Sequence, residues 1–441
     1  MIRKFFAFLL VIIFTFGAFS VNAAMLYKKE LHSAAVYFVD MATGIPIVEK
    51  NINEKRSPAS LTKMMTFATA YEMAEDVNNT KVKVRQEVLD KVDPDSSGVK
   101  LKDGEEIDLM GLFNAMLICS SGDAAMVIAD YFGEGDISKF VDKMNEKAKN
   151  LGCADTHFVN PDGFYDENQY STASDIYKIT KYAMNFPDFL NIVSKSECNI
   201  FGDERDPIVT TNKMLDPKRG GKYYYPYVKG IKTGYLDDAG RCLVSYAEKN
   251  RRSYISVVMG GPVNDSKGNK IQENMAMIDT KNIYIWAFDE LKSAKLYSKN
   301  SPIDEIPIEF VWNHDKLLLV PENDFFASLP ADFEKKDVSL KSSIPEKVEA
   351  PINTGDVVGK ADVFYKGELI GSFNVVSSSS FKKSYLLAVL YFFRNIVTSP
   401  IFLIIFALIL ILLIFYLRLF LRANIRRKRK NKIKKFPSRR R

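Results

Sequence analysis

Ile401 to Leu417 is an unbroken apolar run, and Ile396 to Leu421 extends it with few interruptions. At ~1.5 Å per residue such a segment reaches across a hydrocarbon core of roughly 30 Å, so a transmembrane helix over 396–421 is expected. Thirteen basic residues close it, from Arg418, Arg422, Arg426 and Arg427 to Arg439, Arg440 and Arg441, with no acid among them. A cluster of that kind stays on the cytoplasmic side, which makes 422–441 a cytoplasmic tail and puts the rest of the chain outside.

The other end agrees. Arg3 and Lys4 precede the apolar stretch Phe5 to Phe19, and Val21-Asn22-Ala23 offers small residues to a signal peptidase. Residues 1–24 therefore read as a cleaved secretory signal, with a retained anchor as the competing reading. Charge has to be read against this topology. Taking the 13 tail residues and Arg3 and Lys4 from the formal +7 leaves about −8 for the remainder. The basic excess reports membrane orientation, so no nucleic-acid partner is expected.

His32, His157 and His314 are the only histidines, and none stands in a zinc-binding spacing. No Gly-x-Ser-x-Gly elbow accompanies them, so a hydrolase here must handle protons with something other than histidine. Cys119, Cys153, Cys198 and Cys242 are too sparse for a disulfide framework, and Cys119 and Cys242 lie in apolar runs where a buried thiol is expected.

Ala34–Val39 and Ile45–Glu49 read as a hairpin, with Pro46 restricted to a strand start or an open edge. A helix is expected from Ser57, capped by that serine with Pro58 in its first turn. Further helices are expected at 109–119, 124–132, 137–151, 173–184 and 275–291, and strands at 240–248 and 252–259. Strands, then many helices, then strands and a helix imply an α+β domain over 25–292, an antiparallel sheet covered by helices. Short strand candidates at 308–312, 316–320, 338–340, 357–365 and 368–376 make 293–376 a small all-β domain. The serine run 377–380 opens a linker over 377–395, and 381–397 has the character of an amphipathic lead-in to the span.

Ser60-Leu61-Thr62-Lys63 sets a hydroxyl and an amine three residues apart on one helical face. A serine needs a base before it is a useful nucleophile. A lysine serves if neutral, which at pH 7 asks for a pKa depression worth about 4 to 5 kcal/mol. Burial and a second cation can supply that. The pattern alone is weak, since Ser379 to Lys382 and Ser380 to Lys383 repeat it. Lys232-Thr233-Gly234, read as the end of a strand over 227–233, offers a cation for a carboxylate and a glycine for close approach. Ser120-Ser121-Gly122-Asp123 lies between two helices, and Asp123 is expected to cap the second.

Pro58 to Lys63, Ser120 to Ala125 and Lys232-Thr233-Gly234 together resemble the three motifs of serine penicillin-binding proteins and class A β-lactamases. With Asp40–Gly44, Asn160-Pro161-Asp162-Gly163, Tyr170–Ala173 and Val228–Gly240, the chain is most similar to the low-molecular-mass D-alanyl-D-alanine carboxypeptidases over about residues 33–291. The β domain is also like that family's second domain. The resemblance implies roles. Ser60 forms the acyl-enzyme, Lys63 is the base, and Ser120 relays a proton. Lys232, Thr233 and Gly234 line the carboxylate site, and the backbone N–H groups of Ser60 and Tyr235 form the oxyanion hole. It implies peptidoglycan stem peptides as substrate, β-lactam antibiotics as inhibitors, and no metal or organic cofactor.

Two positions depart from the family pattern. Gly122 stands where the family's Ser-x-Asn motif has asparagine, and Leu236 where a small hydroxyl residue is common. The first weakens Lys63 positioning or substrate amide binding. It also supports an alternative reading, a catalytically weakened homologue that binds wall peptides or proteins. A β-lactamase reading lacks a well-placed glutamate for deacylation. Thr172-x-x-Asp175 reads as a capping box, which gives Asp175 a structural role.

Overall fold

The computed structural model describes residues 27–202 and 205–433. The expected signal 1–24 and the end of the basic tail lie outside the described residues. The chain forms two compact units. The first runs through Tyr297 and takes in Phe325–Lys341 and Asp362–Ser372; the second holds Ser298–Asp324, Ser342–Ala361 and the chain from Phe373 onward.

The first unit is built on a five-stranded antiparallel sheet. Its strands are β1 (Ala35–Asp40), β2 (Ile45–Lys50), β3 (Val228–Leu236), β4 (Gly240–Lys249) and β5 (Arg252–Gly261), in spatial order β2-β1-β5-β4-β3. Pro46 sits on edge strand β2, opposite Val39, where a bulge interrupts the register and no ladder donor is needed. Side-chain alternation sends Ala35, Val39, Val244, Ile255 and Val257 to one face and Val36, Phe38, Leu243, Tyr254 and Val258 to the other.

The first face is covered by α1 (Lys63–Met73), α2 (Leu109–Ile118), α3 (Gly122–Phe132), α4 (Ile137–Asn150) and α5 (Ala173–Ala183). The second is covered by α6 (Met275–Glu290). This is the helix-covered α+β sheet read from the sequence. Burial decides the helix faces: Leu61, Met64, Phe67 and Ala68 are fully enclosed, and the Phe67 ring packs edge-on against Phe113 and tilted against Tyr71 and Phe189.

Several local readings change. Ser57 does not cap a helix: the chain enters through a 3-10 turn, Ala59–Thr62, and the α-helix begins at Lys63. Ala59 adopts φ +47°, a left-handed conformation that breaks helical geometry ahead of Ser60. Asp123 does not cap α3 either. Ser121 does, accepting from the Ala124 N–H at 3.3 Å and donating to Asp123 Oδ1. Thr172 caps α5 by accepting from the Asp175 N–H at 3.1 Å. The Asp175 carboxylate does not return the bond; it accepts from the Asp155 N–H and the Thr156 hydroxyl, at 3.0 and 2.9 Å.

Beyond α6, β6 (Leu291–Tyr297) pairs antiparallel with β9 (Phe325–Pro330) inside the first unit, and neither strand is evident in the sequence pattern. In the second unit β7 (Asp304–Glu309) pairs antiparallel with β8 (Lys316–Pro321) and parallel with Val348–Glu349. The strand expected over 308–312 ends at Glu309 because Phe310 takes φ +65°. The remaining strands are β10 (Val338–Ser343), β11 (Val357–Tyr365) and β12 (Glu368–Ser377), whose last residues pair with β8. Ser377 is buried at the end of β12 rather than in a free linker, and Phe381 pairs with Ile352. Helices α7 (Tyr385–Thr398) and α8 (Pro400–Ile433) follow. Within α8, Pro400–Arg427 is long and apolar enough to cross a membrane, with Leu403, Ile404, Phe406, Leu410 and Leu413 all exposed.

Candidate active site

The turn Ala59–Thr62 sets the site. Thr62 Oγ1 donates to the Ala59 carbonyl at 2.9 Å, which tightens the turn and brings Ser60 and Lys63 onto one side. Lys63 Nζ then lies 3.0 Å from Ser60 Oγ, within proton-transfer reach. The same nitrogen donates a short hydrogen bond to the main-chain carbonyl of Asp162. Lys63 is 1 % exposed, which is unusual for lysine and costly unless the amine is neutral. Burial pushes its pKa down from 10.5 to about 8, with the carboxylates of Asp162 and Asp123 and the Cys119 thiol pulling the other way.

The loop carrying Asp162 is built by its neighbours. Asn160 Oδ1 accepts from the Gly163 N–H and from Gln169 Nε2, both at 2.8 Å. Thr66 Oγ1 donates to the Pro161 carbonyl at 2.5 Å, which ties the loop to α1. Gly163, at φ +81°, lies so close to the Ala59 carbonyl that no Cβ fits. The motif resemblance assigns no role to Asn160–Gly163; in the structure the stretch aims one carbonyl at Lys63.

Edge strand β3 closes the other side. Lys232-Thr233-Gly234 lies within the strand, which continues to Leu236, and does not end it. A Cβ on Gly234 would sit 3.1 Å from the Ala59 Cβ and 3.2 Å from the Pro58 carbonyl, so β3 packs directly on the Ser60 turn. Lys232 is also 1 % exposed. Burial lowers its pKa well below 10.5, and the positive charge of Lys63 lowers it further. Two lysines thus share one buried site, and their protons come off in coupled steps. Thr233 Oγ1 stands 2.5 Å from Thr211 Oγ1, a residue the sequence reading missed because a Thr-Thr-Asn stretch in a loop carries no signal of its own. Tyr235 is 48 % exposed at the rim, its hydroxyl donating to Asp237 at 2.5 Å.

Ser120 is buried at the α2–α3 junction with φ +67°, a backbone strain tolerated where the surroundings over-determine it. Its neighbour Asp123 anchors the 97–101 segment, accepting from the Val99 and Leu101 N–H groups at 3.3 and 3.1 Å. Cys119 and Cys198 are half-buried, Cys153 and Cys242 are buried, and all four thiols are free. Among the described residues, no group of three His, Cys, Asp or Glu side chains converges to hold a metal.

Residues 20–263 match the family described as D-alanyl-D-alanine carboxypeptidase, which is more than half of the chain. The chain belongs to the D-alanyl-D-alanine carboxypeptidase family. As a member it is a serine hydrolase. Residues 291–383 match the C-terminal domain of penicillin-binding protein 5, so the β region of this carboxypeptidase is also a family feature. The D-alanyl-D-alanine carboxypeptidase DacF of Bacillus subtilis is 26 % identical over 391 residues, covering 85 % of this chain and 93 % of its own. DacA of Escherichia coli K12 is 27 % identical over 362 residues, 77 % of this chain and 81 % of its own. The crystal structure of penicillin-binding protein 5 from Haemophilus influenzae superposes with a TM-score of 0.66 at 25 % identity, covering 81 % of this carboxypeptidase and 99 % of that chain.

Proposed function

We propose that this carboxypeptidase removes the terminal D-alanine from peptidoglycan stem pentapeptides through an acyl-enzyme on Ser60, and that penicillins acylate the same hydroxyl. The observation that carries the reading is the enclosed Lys63 amine 3.0 Å from Ser60 Oγ, with a pKa brought down to about 8. The neutral amine takes the Ser60 proton as Oγ attacks the penultimate carbonyl. The backbone N–H groups of Ser60 and Tyr235 hold the oxyanion. Ser120 passes the proton to the departing D-alanine amine, and water then releases the shortened peptide. Lys232, Thr233 and Gly234 receive the terminal carboxylate: a buried ammonium is strongest against an anion in a water-poor site, and Gly234 keeps the strand edge open. The Thr211 hydroxyl beside Thr233 supports the same assignment.

The span Pro400–Arg427 holds the enzyme in the membrane. The basic residues that follow it favour a cytoplasmic tail, which places the catalytic unit on the side where peptidoglycan lies. Labelling the purified protein with a fluorescent penicillin and mapping the modified residue tests the assignment, together with D-alanine release from a pentapeptide. Label on Ser60 and release abolished in Ser60→Ala are expected. Gly122 favours a second reading, a wall-peptide binder. Release by the wild type no faster than by a folded Ser60→Ala variant would select it.

A further inference from the structure

The place of the missing side chain at residue 122 is not empty. A Cβ built on Gly122 would collide with Ser96 Oγ and come within 3.2 Å of both Ser96 Cβ and Asp162 Oδ2. Ser96 and Asp162 therefore fill the volume into which any residue-122 side chain would project, and the Ser96 hydroxyl reaches the Asp162 carboxylate at 3.4 Å. The loop that delivers Ser96 is fastened to the first turn of α3. The Gly122 N–H donates to the Ser97 carbonyl at 2.6 Å, and Asp123 holds the Val99 and Leu101 N–H groups. Gly98 permits this approach, because a Cβ there would lie 2.9 Å from Asp123 Oδ2. Asp162 in turn receives the Lys63 ammonium on its main-chain carbonyl and is itself 5 % exposed.

We infer that Ser96 and Asp162 are positioning residues of this enzyme, a hydroxyl–carboxylate pair that does through space what a single amide side chain at residue 122 would do. The inference rests on the carboxypeptidase reading of Ser60 and Lys63. The chain of contacts runs from α3 through the 96–101 loop to Ser96, to Asp162, and to the amine of Lys63. A glycine at 122 is then a requirement of the pair, not a defect of the site. Charge adds to the geometry. Asp162 faces Lys63 from its loop, Asp123 from α3, Cys119 from the end of α2 and Lys232 from β3. Of these, the Asp162 carboxylate does most to hold the proton on Lys63.

The test is a mutant cycle on the full-length protein in detergent, read by the second-order rate of Ser60 acylation by a labelled penicillin. Gly122→Asn is expected to lose about 10- to 100-fold, the scale of a misplacement near 1 Å. Adding Ser96→Gly, which clears both clashing atoms, is expected to restore about 10-fold or more of that loss. Ser96→Ala adds no volume and is expected to lose several-fold in rate with an unchanged melting temperature. Asp162→Asn is expected to move the acidic limb of the pH–rate profile to lower pH, since a carboxylate that favours protonated Lys63 is gone while Asp123, Cys119 and Lys232 stay. A merely structural role for Asp162 would leave that limb in place. Gly122→Asn acylating like wild type, a double variant no better than Gly122→Asn, Ser96→Ala at the wild-type rate, or an unmoved limb would each overturn the inference. Wild-type protein that takes no label at Ser60 would overturn the underlying reading, and the inference with it.

Discussion

The two buried lysines dictate how the enzyme responds to pH. In the proposed mechanism Lys63 must be neutral to accept the Ser60 proton, and Lys232 charged to hold a carboxylate. Lys63 titrates near 8. About one molecule in ten then has the neutral amine at pH 7, and about one in a hundred at pH 6. Acylation by a penicillin should therefore rise about tenfold from pH 6 to pH 7 and level off above about pH 8.5. The pair shares its titration, so the midpoint belongs to the first proton lost from the two amines together. For a pentapeptide, kcat/KM should also fall as Lys232, whose pKa burial and the neighbouring Lys63 hold well below 10.5, loses its proton and with it the grip on the terminal carboxylate. A bound carboxylate stabilises that charge, so the falling limb should lie at higher pH in kcat than in kcat/KM. Stopped-flow labelling from pH 5.5 to 10 measures the first limb, and D-alanine release measures both. A rate flat between pH 6 and 8, or a limb unchanged in Lys63→Ala, would refute the assignment of Lys63 as the base.

Four further outcomes are expected. Folding lowers the pKa of Lys63 from 10.5 to about 8, so its ammonium costs the native state up to about 3 kcal/mol. That cost is full below about pH 8 and fades as pH rises toward 10.5, so Lys63→Met should melt higher than wild type at pH 7, checked by calorimetry, and show no label. Gly163→Ala drives a Cβ into the Ala59 carbonyl; it should cost about 1–3 kcal/mol and at least tenfold in acylation, seen in denaturant melts and gel labelling. Thr211→Val removes the hydroxyl facing Thr233, and pentapeptide KM should rise about 5- to 10-fold with kcat within about twofold. Deleting 400–441 should move the enzyme out of the membrane pellet in a salt-washed fractionation, apart from what the exposed Leu386, Phe392 and Phe393 of α7 retain.

The sequence carried the sheet and its helices because burial shows within single segments. β1, β4 and β5 are short apolar runs buried on both faces of the sheet, and α3, α4 and α5 each show an apolar face. The strands β6 and β9 were not, since Leu291 reads as a helix end and Phe325–Pro330 is not among the strand candidates of the sequence. Ser60, Lys63 and Lys232 were found through motif spacing, and the fold brings all three together at the Ser60 turn. Spacing could not deliver Ser96 or Thr211, nor the part of Asp162, which stands out only within its four-residue stretch; in the proposed site each works with a neighbour remote in sequence, at residues 122, 233 and 63. The same asymmetry explains why Gly122 looked like a loss. A motif compares side chains at one position, whereas the site needs a polar group at one point in space. Here that point is reached from residues 96 and 162, on loops that a linear pattern treats as unrelated. Filling position 122 with the expected amide should therefore damage this enzyme, not repair it.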